Sequence, residues 1–424
     1  MYVKSYAHNI YKHNFTVNNM LNEHIYYLLF CIMLIILLIY AYVKTKLGFW
    51  ALQPVFHVYD FAYMINPPGI IDHSFPSANK YTNFRNIETI VSDELSPLQT
   101  QRFVNLIATQ YLRNRDNLFT PTKENILPYF NGHSNKSFVT FYNDDTVLMD
   151  VKNSKVINDK QLVGIITSRP VYISITKRSS TNRVEDIHLM AYYVDYMCVD
   201  KQHRKTGIAQ QLIQTHHYNQ RHINKKIGVC LFKREAELTG IVPLCVYSTY
   251  GFKVDTWTKP PDLSAEYALL EINPQNFHLL FDFIKTAGKK FDILINTDVA
   301  NIVELIRTAN IFVYAVISND IMLCAYFFRK SCVQVMKNME ALSCFSSICD
   351  CDDATFEQGF KLSFWKIAHD HYFGFSVIED IADNHIIIKN IKNKTSPYIV
   401  SPTAYFFYNY AYPTFHSNKT FVLN

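Results

Sequence analysis

The chain changes period as it is read from its N-terminus. Residues 1–24 are mostly polar, and residues 25–43 then run without a single charge. About 20 apolar residues are enough to cross a bilayer. Tyrosines flank this run at both ends, where the membrane–water interface favours them. The pattern predicts one transmembrane helix over 25–43. A signal peptide would have a shorter apolar core nearer the start and a small-residue cleavage site. Lys44 and Lys46 follow the run directly, which favours a cytosolic C-terminal body.

Beyond this helix, the aromatic segment from Phe49 to Val55 leads into residues 56–85, where prolines and glycine interrupt any period and predict loop. Leu98, Phe103, Leu106, Ile107, Tyr111 and Leu112 recur at helical spacing. Residues 137–142, 161–168 and 170–175 read as strands, with a polar turn over 177–182. Residues 192–199 are rich in aromatic and β-branched side chains, which suit a strand. Residues 200–203 are polar, and Ile208, Leu212 and Ile213 then fall on one helical face. From about residue 268 the pattern begins again. It predicts helices over 277–286 and 301–308, and a hairpin of 311–317 and 321–328 around Ser318-Asn319-Asp320. A helix over 356–372 and strands at 375–378 and 404–408 follow. The expected class is α/β (α+β), with two similar halves and mixed sheets.

Composition narrows the function classes. The 424 residues are 49% apolar and 15% aromatic with 18% charged, too apolar for a disordered chain and long enough for two or three domains. A net charge of +5 without a clustered basic face gives no case for a nucleic-acid partner. Nine cysteines without CxxC pairs or His/Cys spacing predict reduced thiols and no metal site.

The candidate chemistry starts at Arg204-Lys-Thr-Gly207-Ile-Ala209, between the expected strand and helix. Small residues there let backbone approach a ligand, and the following helix offers unpaired N–H groups and a positive dipole end to an anion such as a pyrophosphate. An ordinary strand-to-helix turn has the same glycine. The turn resembles the acyl-CoA-binding motif of the GNAT superfamily, and Cys245-Val-Tyr247-Ser-Thr-Tyr-Gly251-Phe252 is similar to that superfamily's closing Tyr-x-x-x-Gly-Phe element.

The resemblance sharpens to the N-myristoyltransferases. Phe49-Trp50-x-x-Gln53-Pro54-Val55 resembles their entry motif, and Tyr111 with Asp116-Asn117-Leu-Phe119 is similar to their Tyr…Asp-Asn-x-Phe segment. Leu162-Val-Gly-Ile-Ile-Thr-Ser-Arg-Pro170 resembles their Leu-(Val/Ala)-Gly-Phe-Ile-Ser-x-x-Pro strand. Tyr196-Met197-Cys198-Val199 stands for Phe-Leu-Cys-Val, and Cys245-Val-Tyr247 for Cys-Arg-Tyr. In the second half, Ile378-Glu-Asp380-Ile-Ala-Asp-Asn384 and Tyr405-Phe-Phe-Tyr-Asn-Tyr410 are similar to family segments.

The resemblance implies two fused GNAT-like halves. These are expected over 47–265 for acyl-CoA and 266–424 for the peptide, behind a polar tail (1–24) and the membrane helix (25–43). It implies transfer of a long acyl chain, most simply myristoyl, from acyl-CoA to the N-terminal glycine of a protein; with the apolar run, the expectation is a monomer anchored by a single membrane pass with a cytosolic body. The backbone N–H groups of Tyr196 and Met197 would form the oxyanion hole, and Tyr247 would face the reacting centre. The terminal carboxylate, here that of Asn424, would take the amine proton. Acyl-CoA would contact Phe49, Trp50, Cys198, Val199, Arg204, Lys205, Thr206, Gly207, Ile208 and Ala209. The peptide would contact Tyr111, Asn117, Phe119, Asp380 and Asn384.

Two departures stand beside these matches. Arg113, Asn114 and Arg115 replace the family's acidic run, and Ser248, Thr249 and Tyr250 occupy the region of an expected histidine. Two other readings stay open: an acetyltransferase with Asp195 as base, and a membrane scaffold that has kept the fold without catalysis.

Overall fold

A computed structural model describes residues 24–42, 48–112, 117–150, 155–178, 184–235, 240–254, 257–335 and 339–424. The polar tail, Arg113–Arg115 and the turn at 179–183 lie outside the described residues. The chain divides into two compact units, Met1–Gln53 and Pro54–Asn424. In the first, the helix His24–Tyr42 has a mean hydropathy of 2.5 over its most apolar window and buries none of it, long and apolar enough to cross a membrane. The short turn Trp50–Leu52 follows, with Phe49 and Trp50 edge-to-face at 5.2 Å.

The second unit is built on one mixed sheet. Its main path runs Thr420–Leu423, Ile293–Asn296, Lys155–Arg178, Val184–Val199, Val229–Glu235, Ile399–Tyr408, Cys245–Lys253, Phe373–Glu379, Met339–Cys349, Ile321–Val335, Ile311–Ser318 and Ala268–Ile272. Most neighbours are antiparallel. Two parallel pairs come from strand–helix–strand crossovers: Val184–Val199 with Val229–Glu235 through the helix Ile208–Ile223, and Met339–Cys349 with Phe373–Glu379 through the helix Asp353–His371. Parallel neighbours need such a crossover because a tight hairpin can join only antiparallel strands.

The parts of the chain before and after residue 268 exchange strands within this sheet. Cys245–Lys253 lies between Ile399–Tyr408 and Phe373–Glu379, and Ile399–Tyr408 pairs on its other side with Val229–Glu235. Each part therefore completes the other's sheet, and the core is continuous across the joint.

Local signals account for many elements. Ser96 and Gln99 form a capping box at the helix Pro97–Gln110, whose first residue is proline and whose inner face buries Phe103, Leu106 and Ile107. The hairpin Ile311–Ser318 to Ile321–Val335 turns on Asn319 and Asp320, both at positive φ (49° and 64°), as a two-residue turn matching strand twist requires.

The separate strands expected at 161–168 and 170–175 are one strand, Lys155–Arg178. Pro170 is tolerated because it falls between two partners: pairing with Phe138–Asp150 ends at Ser168, and pairing with Ile293–Asn296 begins at Tyr172. The helix Ile208–Ile223 carries a more polar buried face than its apolar spacing predicts. His216 accepts or donates at both ring nitrogens, to Thr140 Oγ1 (2.7 Å) and Ser168 Oγ (2.9 Å).

Candidate active site

The site begins where the Val184–Val199 strand loses register with its neighbour. Ile166 opposes Met197 and Ser168 opposes Val194, so Asp195 and Tyr196 together face Thr167 alone. A bulge of this kind interrupts the ladder and re-aims side chains. The Tyr196 N–H donates to Thr167 Oγ1 at 3.1 Å, and Met197 is exposed. The two amides expected at an oxyanion hole thus sit at a break in the sheet, and a threonine hydroxyl engages one of them. Behind them Cys198 is buried, which pushes its thiol up to about 12, and the Val199 carbonyl accepts from Arg204.

Side chains close around the bulge. Asp195 binds Arg169 through both oxygens, Nε to Oδ2 at 2.7 Å and Nη2 to Oδ1 at 3.3 Å. Arg169 is 1% exposed and lies against the rings of Tyr129 and Tyr193 at 5.4 and 5.2 Å. One guanidinium engages both carboxylate oxygens, and that counts against Asp195 as the base of an acetyl transfer. Its backbone carbonyl accepts from the Tyr111 hydroxyl at 3.3 Å, and Tyr111 packs against Tyr196 (5.4 Å) and Phe119 (5.5 Å). Tyr111, Phe119 and Tyr196, far apart in the chain, therefore form one aromatic wall. Asn117 opens the short strand Asn117–Phe119, which pairs with Val333–Val335.

The turn after the strand is held from within. Asp200 accepts from Gln202 N–H at 2.8 Å, and Thr206 Oγ1 donates to the His203 carbonyl at 2.6 Å. Gly207 takes φ +89° as it starts the helix Ile208–Ile223, a conformation that costs other residues and that leaves no capping side chain over the first amides of Ile208 and Ala209. Lys205 also has positive φ and is exposed. Arg204 differs from the expectation of a phosphate ligand: Nε donates to Val199 O (3.1 Å) and Nη2 to Gln110 O (2.7 Å), so its guanidinium ties the turn to the helix Pro97–Gln110.

Tyr247 is buried, and its hydroxyl donates to Glu379 Oε2 at 2.5 Å. Lys233 Nζ reaches the same oxygen at 2.9 Å. Burial, followed by the charge of Glu379, raises the Tyr247 phenol well above its usual range. Glu379 and Lys233 have no local sequence signature: the lysine reads as a solvated strand residue until the fold covers it.

The C-terminus is docked. Thr420–Leu423 pairs in parallel with Ile293–Asn296 and is buried throughout, and Asn424 is 1% exposed. Arg329 Nη2 donates to the terminal oxygen of Asn424 and, at 3.2 Å, to its Oδ1. The Arg329 guanidinium stacks over Phe345 at 4.4 Å and approaches Tyr129 at 5.8 Å. Tyr129 links the two regions, since it also raises the phenol of Tyr196, after burial and Asp195.

Two of the residues expected to contact the peptide, Asn384 and Asp380, adjoin Glu379. Asn384 is fully buried; its amide donates to Glu379 O (2.8 Å) and Cys344 O (3.3 Å) and accepts from Ser347 (2.6 Å). Its side chain joins the helix Asn384–Lys392 to the sheet. Asp380 follows the Phe373–Glu379 strand; its N–H bonds Ser248 O at 2.9 Å, and burial raises its carboxyl. Phe49 and Trp50 belong to the N-terminal unit. Among the described residues no group of three or more His, Cys, Asp or Glu is placed to hold a metal.

No family model matches the sequence, and no curated protein matches it. Solved structures do. The N-myristoyltransferase of Saccharomyces cerevisiae with bound myristoyl-CoA aligns with a TM-score of 0.65 at 14% identity, over 87% of this chain and 94% of that one. A second structure of the yeast enzyme with bound myristoyl-CoA gives 0.66 at 15% identity, over 87% and 89%. At such identity the likeness is one of fold. The chain has the N-myristoyltransferase-like tandem GNAT fold, with an apolar helix ahead of it.

Proposed function

We propose that this protein is an acyl-CoA-dependent N-acyltransferase, tethered to a membrane by His24–Tyr42, that moves a long acyl chain to the N-terminal glycine of a protein. The observation that carries the reading is the bulge at Asp195–Tyr196 followed at once by the uncapped helix start at Gly207. It joins two things an acyl-CoA enzyme needs: a break in the sheet that takes the Tyr196 amide out of the backbone ladder, beside the expected thioester oxygen, and amides at a helix end for phosphates. Lys205, Thr206, Ile208 and Ala209 would complete the phosphate turn, with Arg204 bracing it. The fold is one whose yeast examples hold myristoyl-CoA.

In this reading the Asn424 carboxylate takes one proton from the ammonium, the freed amine attacks the thioester carbon, and the C–S bond breaks as the sulfur of CoA takes the second N–H proton and leaves as the thiol. An ammonium has no lone pair to attack with until a base removes that proton. Tyr247, held by Glu379 and Lys233, would fix the shape of the acceptor cavity. The N-terminal half serves acyl-CoA and the C-terminal half the acceptor, joined near residue 265.

The test is acyl transfer by the full chain in detergent, offered myristoyl-CoA, palmitoyl-CoA or acetyl-CoA with glycine-starting peptides. Long-chain transfer to glycine that is lost on removing Asn424 supports the reading. A preference for acetyl-CoA overturns the chain length. One observation favours a second reading, a non-catalytic acyl-CoA-binding scaffold: Thr167 already engages the Tyr196 amide. Binding of acyl-CoA without transfer to any peptide selects that one.

A further inference from the structure

A cleft of about 700 Å³ opens between the helices Asp353–His371 and Asn384–Lys392 and the segment 257–261. None of its lining residues takes part in the site described above, and its volume is that of a small-molecule site. Two prolines create it. Pro260 and Pro261 have no N–H to offer a sheet, so the segment crosses the helix as a rim, tied there by Gln358 Nε2, which donates to the Pro261 carbonyl. The walls are rings. Trp257 packs edge-on against Phe364 at 5.2 Å, and Trp365 stacks on His369 at 5.1 Å. Two of the chain's three tryptophans therefore line one cleft, both half-buried. The rim is charged. Lys361 pairs with Glu357, Lys394 stands 3.8 Å from the same carboxylate, and Lys259 lies over the Trp365 ring at 5.7 Å. Three lysines against one glutamate leave the rim an excess of two positive charges. Lysines on a helix surface are ordinarily solvated; the rings between these distinguish them.

We infer that this cleft binds a planar aromatic anion, a flat ring system that carries a carboxylate or a phosphate. The ring lies among Trp257, Phe364 and Trp365, where ring contacts add to the area buried. The anionic group meets Lys259 and Lys394 at the rim. An alkyl chain gains nothing from ring geometry, and a neutral ring leaves the two positive charges unanswered. Glu357 repels the anion and confines it to the lysine side of the cleft. The inference does not rest on the acyltransferase reading, since the two sites share no residue.

The test is calorimetry on the full chain in detergent, blanked against protein-free micelles. Adenosine monophosphate and naphthoate are set against their neutral partners, adenosine and naphthamide. A thioether analogue of acyl-CoA is present throughout, so that the turn at Gly207 does not compete for the nucleotide. At least one anion should half-saturate below about 1 mM and bind about ten-fold more tightly than its neutral partner. The tighter of the two anions tells a nucleotide from an aromatic carboxylate. Lys259→Gln with Lys394→Gln, both at exposed positions, should remove most of that ratio. Glu357→Gln should raise it a few-fold, a gain that a merely structural glutamate does not give. Trp365→Leu should weaken anion and neutral partner alike, by about ten-fold. No saturation by either anion, or equal binding of anion and neutral partner, overturns the inference. So does a ratio left unchanged by the lysine substitutions, which would put the anion elsewhere. The wild-type comparison decides even if Trp365→Leu fails to fold. Binding that persists when no acyl group is transferred keeps the cleft and removes the catalytic reading; transfer without binding does the reverse.

Discussion

The two crossovers of this protein share a topology and part company at the helix start and on the buried helix face. In the first, the chain leaves Val199, passes a turn carrying Lys201, Arg204 and Lys205, and enters the helix at Gly207 with no side chain over its first amides. In the second, it leaves Cys349 and enters at Asp352, whose carboxylate accepts from Ala354 N (3.0 Å) and Thr355 N (2.9 Å). One helix end has no side-chain acceptor over its first amides; the other supplies its own. The inner faces differ as well. The first buries Gln214, His216, His217 and Gln220, the second Phe356, Phe360, Phe364 and Ile367. A repeated fold can thus leave a helix end uncapped in one copy and cap it in the other through a single residue at the helix start.

The largest expected difference is in acid. Burial lowers His216 to about 4 and His217 to about 3. The folded state therefore refuses protons that the unfolded chain accepts below about pH 6.5. Stability should be full above that pH and fall as pH drops toward 4, by at most about 1.4 kcal/mol per pH unit for each histidine. Hydrogen exchange at pH 7 and pH 5 should show the amides of Ile208–Ile223 losing protection before those of Asp353–His371. Equal loss in both helices would break the contrast.

Next in size, Gly207→Asp makes the first helix start like the second. It adds a capping carboxylate to a position that also needs positive φ, and acyl-CoA affinity by calorimetry should fall about a hundred-fold. Unchanged affinity would mean that the open helix end binds no phosphate.

A pair of neighbours then separates bracing from binding. Arg204→Ala leaves two carbonyls without their donor and should cost roughly 1–2 kcal/mol of stability, along with about ten-fold in acyl-CoA affinity. Lys205→Ala should reduce affinity a few-fold and leave the melting temperature alone. Similar melting temperatures for the two variants would remove the structural role given to Arg204.

The smallest effect belongs to the second crossover. Asp352→Ala should cost about 1 kcal/mol of stability with acyl-CoA affinity unchanged. Hydrogen bonds from Thr355 lower the Asp352 carboxyl below its usual 3.8, so its contribution is present above that pH and lost as pH falls through the lowered value. Denaturation curves of the variant and the wild type should converge there.

The sequence by itself determined what depends on neighbours a few residues apart. The apolar run gives a membrane-length helix, the Ser96 and Asn319-Asp320 signals set a cap and a turn, and Gly207 marks a helix start; each is a matter of backbone geometry or periodicity over one or two turns. The docked C-terminal strand was also legible, because its last residues are apolar. Only the tertiary structure decided the rest. The strand Lys155–Arg178 runs through Pro170 because two partners happen to end and begin on either side of it. Asp195 meets Arg169, Glu379 meets Tyr247 and Lys233, and Arg329 meets Asn424 across separations from 26 to 146 residues. Charged side chains look alike in a sequence whether water or a guanidinium will surround them. Their roles are set by burial, which removes water and leaves the folded partner as the sole source of compensation, and no local pattern encodes which partner that will be.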